Sequence, residues 1–250
     1  MPRLCPELTT KLESTKALKK EFDLELTGLP QTGKSDDLVS IREVKTKLVQ
    51  NLKELREYFP FSNWEKFYKD SLGLDCDLSD VVIPEKKEGF DRLIIVAKNL
   101  TIQQVYDKCQ ELFPCIIKSE PSPLSDRDLI NDRESKNQAY AIWLRDRVEA
   151  DEELRGLSVQ DLKIKKVAGI TLLERLIYEL KYYQETSLHL DDNLLATHLL
   201  EINNVTLCSG SHNSDGITPT VSWFGRSMRV SWWHLPEDAG LGERSRAVIA

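Results

Sequence analysis

Two short runs of alternating side chains near the carboxyl end constrain the fold of this chain more than any other feature. They are residues 220–224 (TVSWF) and 228–233 (MRVSWW), joined through a Gly-Arg-Ser turn sequence. Successive side chains of a strand point to opposite faces of a sheet, so each run predicts a strand with one apolar face. That face carries Val221, Trp223, Met228, Val230 and Trp232. We expect these five residues to be scaffold in the core.

The opposite face of the same two strands has a different composition. It carries Ser222, Phe224, Arg229, Ser231 and Trp233. Folding does not require an outward Phe, Arg and Trp, and this combination is typical of surfaces that bind proteins. The sequence therefore predicts a binding region in residues 206–250, which hold three of the five Trp and four Arg.

The size and composition of the chain are those of an ordinary globular protein. Its 250 residues are 40% hydrophobic and 30% charged, which is enough apolar material for a sizeable core. The net charge of −7 argues against a nucleic-acid partner. No apolar run reaches the length of a membrane span, so we expect no membrane association.

The five cysteines are scattered along the chain without CxxC spacing. Because the amino terminus also lacks the apolar segment of a secretory signal, we interpret them as reduced thiols of a cytoplasmic protein. The four histidines form no pair with the cysteines at a familiar zinc-binding spacing. We therefore expect no metal site and no cofactor.

The predicted elements favour the α+β class, arranged in two regions. Residues 1–88 carry apolar side chains three or four positions apart and are predicted to form a helical amino-terminal region. The polar stretch PEKKEG, residues 84–89, is predicted to end that region, so that the second domain spans 89–250.

Within the second domain, helices and short strands follow without regular alternation. Thr101 with Gln104, and Thr171 with Glu174, form capping boxes that each begin a helix. Leu173, Leu176, Ile177 and Leu180 are predicted to be the buried positions of the second helix. Strands are predicted at 93–97, 139–144, 205–208, 220–224, 228–233 and 246–249.

One motif offers an alternative function. Residues 28–35, GLPQTGKS, match the GxxxxGK[ST] pattern, in which backbone N–H groups and the Lys contact phosphates. The chain would then be a P-loop nucleotide-binding protein or NTPase that uses Gly33, Lys34 and Ser35. The preceding residues 21–26 (EFDLEL) are half acidic, whereas a P-loop follows a buried apolar strand. A turn followed by a helix that Ser35 caps explains the same residues.

Other clusters of reactive or charged side chains have structural interpretations. Cys208 and His212 are close in sequence but are interpreted as a strand end and a polar turn. Residues 145–153 (RDRVEADEE) are interpreted as a solvated charged face, with a calcium site as the alternative. His189 and Asp191 are expected to help end the long helix. No set of residues predicts catalysis.

Several segments of the second domain resemble one family of bacterial proteins. They are FDRLIIVAKNLT, YAIWLRDRVEADEEL, ITLLERLIYELKYYQET and the carboxyl-terminal series TLCSGSHNSDG, VSW, MRVSWW and RSR. In these segments the chain is similar to the C-type-lectin-fold variable proteins of diversity-generating retroelements, found in candidate-phylum genomes. The resemblance implies a C-type-lectin-like domain of short antiparallel strands. It also implies a gene whose 3′ end is rewritten by a reverse transcriptase.

The resemblance further implies a division between fixed and diversified positions. The apolar face of the hairpin would be fixed, and the outward positions would form the diversified ligand-binding set. That set is His212, Asn213, Thr220, Ser222, Phe224, Arg226, Arg229, Ser231, Trp233 and His234. The expected function is non-enzymatic binding of an unknown ligand, which we expect to be a protein.

Overall fold

The chain divides into two compact units, Met1–Lys66 and Phe67–Ala250. The computed structural model describes residues 60–118, 129–192, 204–238, 240 and 242–250, and the single residues 14, 16, 17, 19, 20 and 47. Of residues 233 and 234 it describes only the backbone. The described residues mix helix and strand, so the protein belongs to the α+β class. Within these residues, no helix combines the length and apolar character needed to cross a membrane.

We number the elements from the first helix whose bounds are described. The helices are α1 Pro60–Leu72, α2 Ile102–Leu112, α3 Val159–Ile164 and α4 Leu172–Thr186, with a 3-10 turn at Glu152–Leu154. The strands are β1 Arg92–Val96, β2 Cys115–Lys118, β3 Ile130–Asn131, β4 Tyr140–Leu144, β5 Val205–Leu207, β6 Ser211–His212, β7 Thr218–Phe224, β8 Ser227–His234 and β9 Glu243–Ser245. Where a strand is predicted at 246–249, the structure has single bridges from Ala247 to Gly169 and from Ile249 to Trp143.

Residues 67–88 belong to the second unit, whereas the polar composition of 84–89 suggested a border there. Two hydrogen bonds across long sequence distances explain the difference. The Tyr68 hydroxyl donates to the Ile95 carbonyl, and the Trp143 indole N–H donates to the Pro84 carbonyl at 2.9 Å. The polar stretch therefore connects residues that pack within one unit.

The largest described sheet has the strand order β2-β8-β7-β5-β9. Its central strand β7 pairs antiparallel with β8 and β5, in agreement with the predicted short antiparallel strands. The outer pairs β2–β8 and β5–β9 are parallel and connect distant parts of the sequence. In a separate ladder β1 and β4 are antiparallel, and Trp143 of β4 bridges Ile249, so the carboxyl terminus returns beside an early strand.

Helix α4 packs on α2, β1 and β7. It begins with the predicted capping box, in which the Thr171 side chain accepts from the Glu174 N–H and Glu174 accepts from the Thr171 N–H. Every residue from Leu172 to Lys181 is buried, including the four predicted apolar positions. Because α4 has neighbours on several sides, it also carries charged side chains into the interior, where each needs a partner.

Candidate functional site

The hairpin β7–β8 has one face in the core, as the alternation predicts. Val221 lies opposite Val230 and Trp223 lies opposite Met228, and all four side chains are buried. Trp232, which was predicted for the same buried set, is half-buried. The reason is its position at the end of the regular ladder, where it lies opposite Pro219.

The alternation breaks beyond Pro219. The register of β7 against β8 shifts by one residue there: Pro219 lies opposite Trp232, whereas its neighbour Thr218 lies opposite His234. Trp233 is thus an extra residue in β8, as in a β-bulge, and a simple period of two cannot place its side chain. The predicted outward positions of Trp233 and His234 concern side chains outside the described part, and they stay predictions.

The outer face of the hairpin is covered at one end and open at the other. Thr220, Ser222 and Ser231 lie on the predicted face but expose only 3%, 8% and 5% of their surfaces. The prediction that these three are displayed is wrong, because all three are buried, and Thr220 lies beside Leu207 of β5, which is itself buried. Phe224 is half-buried and Arg226 is exposed, so the face opens towards the turn.

The turn is of the tight two-residue kind. Phe224 lies opposite Ser227, and the two residues between them have positive φ angles, +59° at Gly225 and +68° at Arg226. Positive φ at both central positions is the type I′ geometry that suits the twist of a hairpin. A side chain larger than Gly in this conformation costs roughly 1–2 kcal/mol. Folding therefore does not explain why Arg occupies position 226.

Strand β2 adds two side chains to the outer face, one beside its open part and one farther from the turn. Its parallel register places Ile116 beside Arg229 and Lys118 beside Ser231. Ile116 is 42% exposed. Sequence reasoning missed both residues, because the short run CIIK contains no signal that names β8 as its distant partner. Only the parallel pairing brings these side chains to the hairpin.

Arg229 carries an unsatisfied donor on this open face. Its guanidinium carbon lies 4.3 Å from the centre of the Phe224 ring, which is a cation–π contact. Its Nε is shielded from solvent, and no described residue accepts a hydrogen bond from it. Burial lowers the pKa of the guanidinium. The group remains charged at neutral pH because the ordinary Arg value is so high.

His212 and Asn213 belong to a different place in the fold. His212 is in β6, which pairs with β3 in a separate two-stranded ladder. The Asn213 side-chain oxygen accepts hydrogen bonds from the N–H groups of Asp215 and Ile217, at 2.9 and 2.8 Å. Its carbonyl lies 2.9 Å from the His212 Nδ1. Asn213 thus holds the turn, a structural use that the ligand-binding prediction did not anticipate.

The inner face contains a buried cluster of balanced charges. One oxygen of the Asp191 carboxylate accepts a hydrogen bond from Arg175 Nη2 at 2.9 Å, and the other oxygen accepts one from Arg246 Nη2 at 2.8 Å. Arg175 Nη1 also donates to Glu179 at 2.8 Å, and the Thr206 hydroxyl donates to Asp191. All of these side chains are buried, so the two positive and two negative charges compensate each other where water cannot. Sequence reasoning did not find this cluster.

Asp191 also connects this cluster to the hairpin. Its carbonyl accepts from the Trp223 N–H at 3.2 Å, and its own N–H donates to the Val148 carbonyl at 3.1 Å. Burial acts to raise the pKa of Asp191, but the charges of Arg246 and Arg175 outweigh burial and hold it below the ordinary value. The carboxylate is therefore ionised near neutral pH, while the backbone carbonyl of the same residue holds β7.

His189 fixes the indole of Trp223 from the same side. The two rings are stacked with centroids 3.3 Å apart, and Tyr183 stacks on the other side of His189 at 4.9 Å. The His189 Nδ1 lies 2.9 Å from a Glu179 carboxylate oxygen. The helix itself ends at Ser187, which has a left-handed φ of +60°. His189 and Asp191 therefore position the hairpin and do not cap α4.

The other candidate chemical groups have structural roles. Cys208 is fully buried, and burial raises the pKa of its thiol to about 12, which is unsuited to a nucleophile at neutral pH. In the charged run, Arg147 pairs with Glu153 at the surface, whereas Asp151 is buried against Arg145. In the described ranges, no three His, Cys, Asp or Glu side chains are grouped to hold a metal ion. Cys76, Cys109, Cys115 and Cys208 form no disulfide among the described residues.

The residues of the nucleotide-binding alternative, Gly33, Lys34 and Ser35, lie outside the described residues. No family model, curated protein or solved structure matches this chain. The geometry of the hairpin and the sequence are therefore what indicate a function.

Proposed function

We propose that this chain is a non-enzymatic binding protein, a variable protein of a diversity-generating retroelement whose second domain is C-type-lectin-like. Its binding site is the open part of the outer face, here called the hairpin-tip surface. The hairpin-tip surface consists of Ile116, Lys118, Phe224, Arg226 and Arg229. The partner is a protein, because an Arg and aromatic surface on a rigid sheet suits protein recognition.

One observation carries the proposal: the hairpin-tip surface contains features that folding does not need. Arg226 occupies a strained left-handed position, and the buried Nε of Arg229 has no acceptor among the described residues. Ile116 leaves 42% of its surface in solvent. Strain and unsatisfied donors that persist at one place in a fold are typical of binding sites.

The inner face supports the same proposal because it provides a frame that does not depend on the binding residues. A surface whose residues change between gene copies needs a frame whose stability does not depend on them. The charge cluster and the stacked rings of His189 and Trp223 provide such a frame, since they hold β7 through its buried face and its backbone. Substitution on the hairpin-tip surface leaves these contacts in place.

The experiment that tests the proposal is sequencing of the genomic DNA downstream of the gene and of the gene in independent isolates. We expect a near-copy of the last part of the gene beside a reverse-transcriptase gene, with differences at adenines. Substitutions should concentrate in the codons of Phe224, Arg226 and Arg229, while those of Val221 and Arg246 stay constant. The absence of a copy, together with equal variation on both faces, would contradict the proposal.

A second candidate function rests on the full match of residues 28–35 to the phosphate-binding pattern. Equilibrium binding of labelled ATP and GTP to the intact protein and to Lys34→Ala separates it from the first. Magnesium-dependent nucleotide binding that disappears in Lys34→Ala would favour the NTPase reading. Equal, weak signals from both proteins would exclude it.

A further inference from the structure

The hairpin-tip surface is locally cationic on an acidic chain. Lys118, Arg226 and Arg229 lie on or beside the open part of the outer face, and the whole chain has a net charge of −7. Among the described residues, each ion pair that reaches a carboxylate uses some other Lys, Arg or His, for example Arg246 with Asp191. The three cations are therefore available to a negative group on a ligand.

The orientation of Arg229 indicates what kind of group that is. A guanidinium that stacks on a ring uses its flat face, whereas its five N–H donors point outward in its own plane. The guanidinium carbon of Arg229 lies over the ring of Phe224, 4.3 Å from its centre, so the ring covers one side of the group. The buried Nε is left without an acceptor among the described residues, and Gly225 allows the Nη2 group to lie close to the turn. Because the Nε is shielded from solvent, a ligand carboxylate would contact the Nη groups, and it can accept two such donors at once.

The surroundings of Phe224 favour a protein ligand over a single-stranded nucleic acid. Base recognition of that kind requires an aromatic ring with an open face for stacking. On the hairpin-tip surface, the guanidinium of Arg229 already covers a face of the Phe224 ring. Few cations on a chain of net charge −7 also make a poor track for a continuous phosphate backbone.

We infer that the ligand of the hairpin-tip surface is an acidic segment of a partner protein, which places a carboxylate on Arg229. Lys118 and Arg226 flank this contact and attract neighbouring acidic residues, and Ile116 with the edge of Phe224 contacts an apolar side chain between them. This inference rests on the proposed function, since it names the ligand class of the same surface. The partner segment thus combines Glu or Asp with apolar residues.

Fluorescence anisotropy with labelled synthetic peptides tests the inference. The probes are a short peptide of alternating Glu and Phe, its counterparts with Gln or Lys in place of Glu, and an oligothymidylate of similar length. We expect the Glu peptide to bind most tightly. Arg229→Gln should weaken its binding about tenfold because this charge is partly desolvated, and the exposed Arg226→Gln about threefold.

Lys163→Gln is the matched control, because Lys163 is an exposed cation on α3 and is not part of the hairpin-tip surface. It should leave the affinity unchanged, and thermal unfolding should show that all variants remain folded. An equal loss of affinity in Lys163→Gln would overturn the inference, because it would show attraction by charge without a site. Stronger binding of the oligothymidylate, lost in Arg229→Gln, would overturn it in favour of a nucleic acid.

The remaining outcomes separate this inference from the proposed function. Preferred binding of the Gln or Lys peptide, lost in Phe224→Ser, would overturn the acidic ligand while the hairpin-tip surface remained a binding site. If neither Phe224→Ser nor Arg229→Gln altered the binding of any probe, both the acidic ligand and the proposed function would be contradicted.

Discussion

Arginines on the two faces of one sheet have opposite environments. On the inner face, Arg246 is fully buried and donates to Asp191, to Thr206 and to the carbonyl groups of Arg147 and Val148. On the outer face, Arg229 contacts an aromatic ring and has a buried Nε with no acceptor among the described residues. Folding accounts for every contact of the first arginine and leaves the second unexplained.

The difference teaches how the pairing of a charge distinguishes the frame of a fold from a surface that can bind a ligand. A buried charge that is fully paired belongs to the frame, because removal of one partner leaves the other uncompensated. A charge at the rim of a fold that gains little from folding is available for a ligand. By these criteria the frame lies on the inner face, and the hairpin-tip surface is the proposed binding site.

The largest expected effect is the loss of the shared carboxylate on the inner face. Asp191→Ala leaves two buried arginines without their common partner and should lower the free energy of unfolding by about 3–5 kcal/mol. Asp215→Ala, at an exposed turn position, should change it by less than about 0.5 kcal/mol. Urea unfolding followed by far-UV circular dichroism measures both. Similar small effects from the two variants would remove the distinction between the faces.

The close packing of Gly169 against Ser209 and Ser245 gives the next largest expected effect on stability. A Cβ on Gly169 would lie 1.8 Å from the Ser209 Oγ and 2.9 Å from the Ser245 Oγ, and Gly169 pairs with Ala247. Gly169→Ala should therefore cost about 1–3 kcal/mol of stability. Adding Ser209→Gly should restore part of this loss, since it removes the atom in the closest clash. Additive losses in the double variant would show that the clash is not the cause.

The Thr206 hydroxyl gives a smaller effect that depends on pH. The pKa of Asp191 in the folded protein lies below the ordinary value of an Asp side chain. The ionised carboxylate therefore stabilises the fold at any pH above that ordinary value, and this stabilisation is lost as the pH falls through the pKa of the folded protein. Thr206→Val removes a hydrogen bond that helps to lower this pKa, so acid unfolding should begin at a higher pH. Thr220→Val, buried on the opposite face, is the matched control and should leave the acid transition in place. A shift of equal size in both variants would contradict the role of Asp191.

At the hairpin-tip surface the expected change in stability has the opposite sign. Arg226 has a φ of +68°, which Gly adopts without strain. Arg226→Gly should raise the free energy of unfolding by about 0.5–1 kcal/mol, because the strain it relieves exceeds the added chain entropy. Thermal unfolding of this variant and of wild type measures the gain. A clear loss of stability would mean that Arg226 has a structural role.

The sequence predicted the local features of this fold and missed the long-range ones. The capping boxes at Thr171 and Thr101 and the buried positions Val221 and Val230 follow from short patterns, because neighbouring residues determine them. The parallel pairing of β2 with β8 and the meeting of Arg175 with Asp191 and Arg246 depend on chain topology, which no local period encodes.

The candidate site shows the same limit. Alternation correctly assigned Thr220 and Ser222 to the outer face, but it could not show that neighbouring elements bury them. Nor could it supply Ile116 from β2. One signal for the inner charge cluster was present in the sequence: Arg244 and Arg246 alternate around Ser245, which places both arginines on one face of a short segment.

The central claim is that the inner face stabilises the fold and that the cations of the hairpin-tip surface do not. Its most direct test is the free energy of unfolding of a triple variant, Lys118→Ser with Arg226→Ser and Arg229→Ser. These side chains make no ion pair within the described residues, so the account predicts a value within about 1 kcal/mol of wild type, from urea titration at neutral pH. A loss as large as that of Asp191→Ala would contradict the account, because it would show that the outer cations belong to the frame.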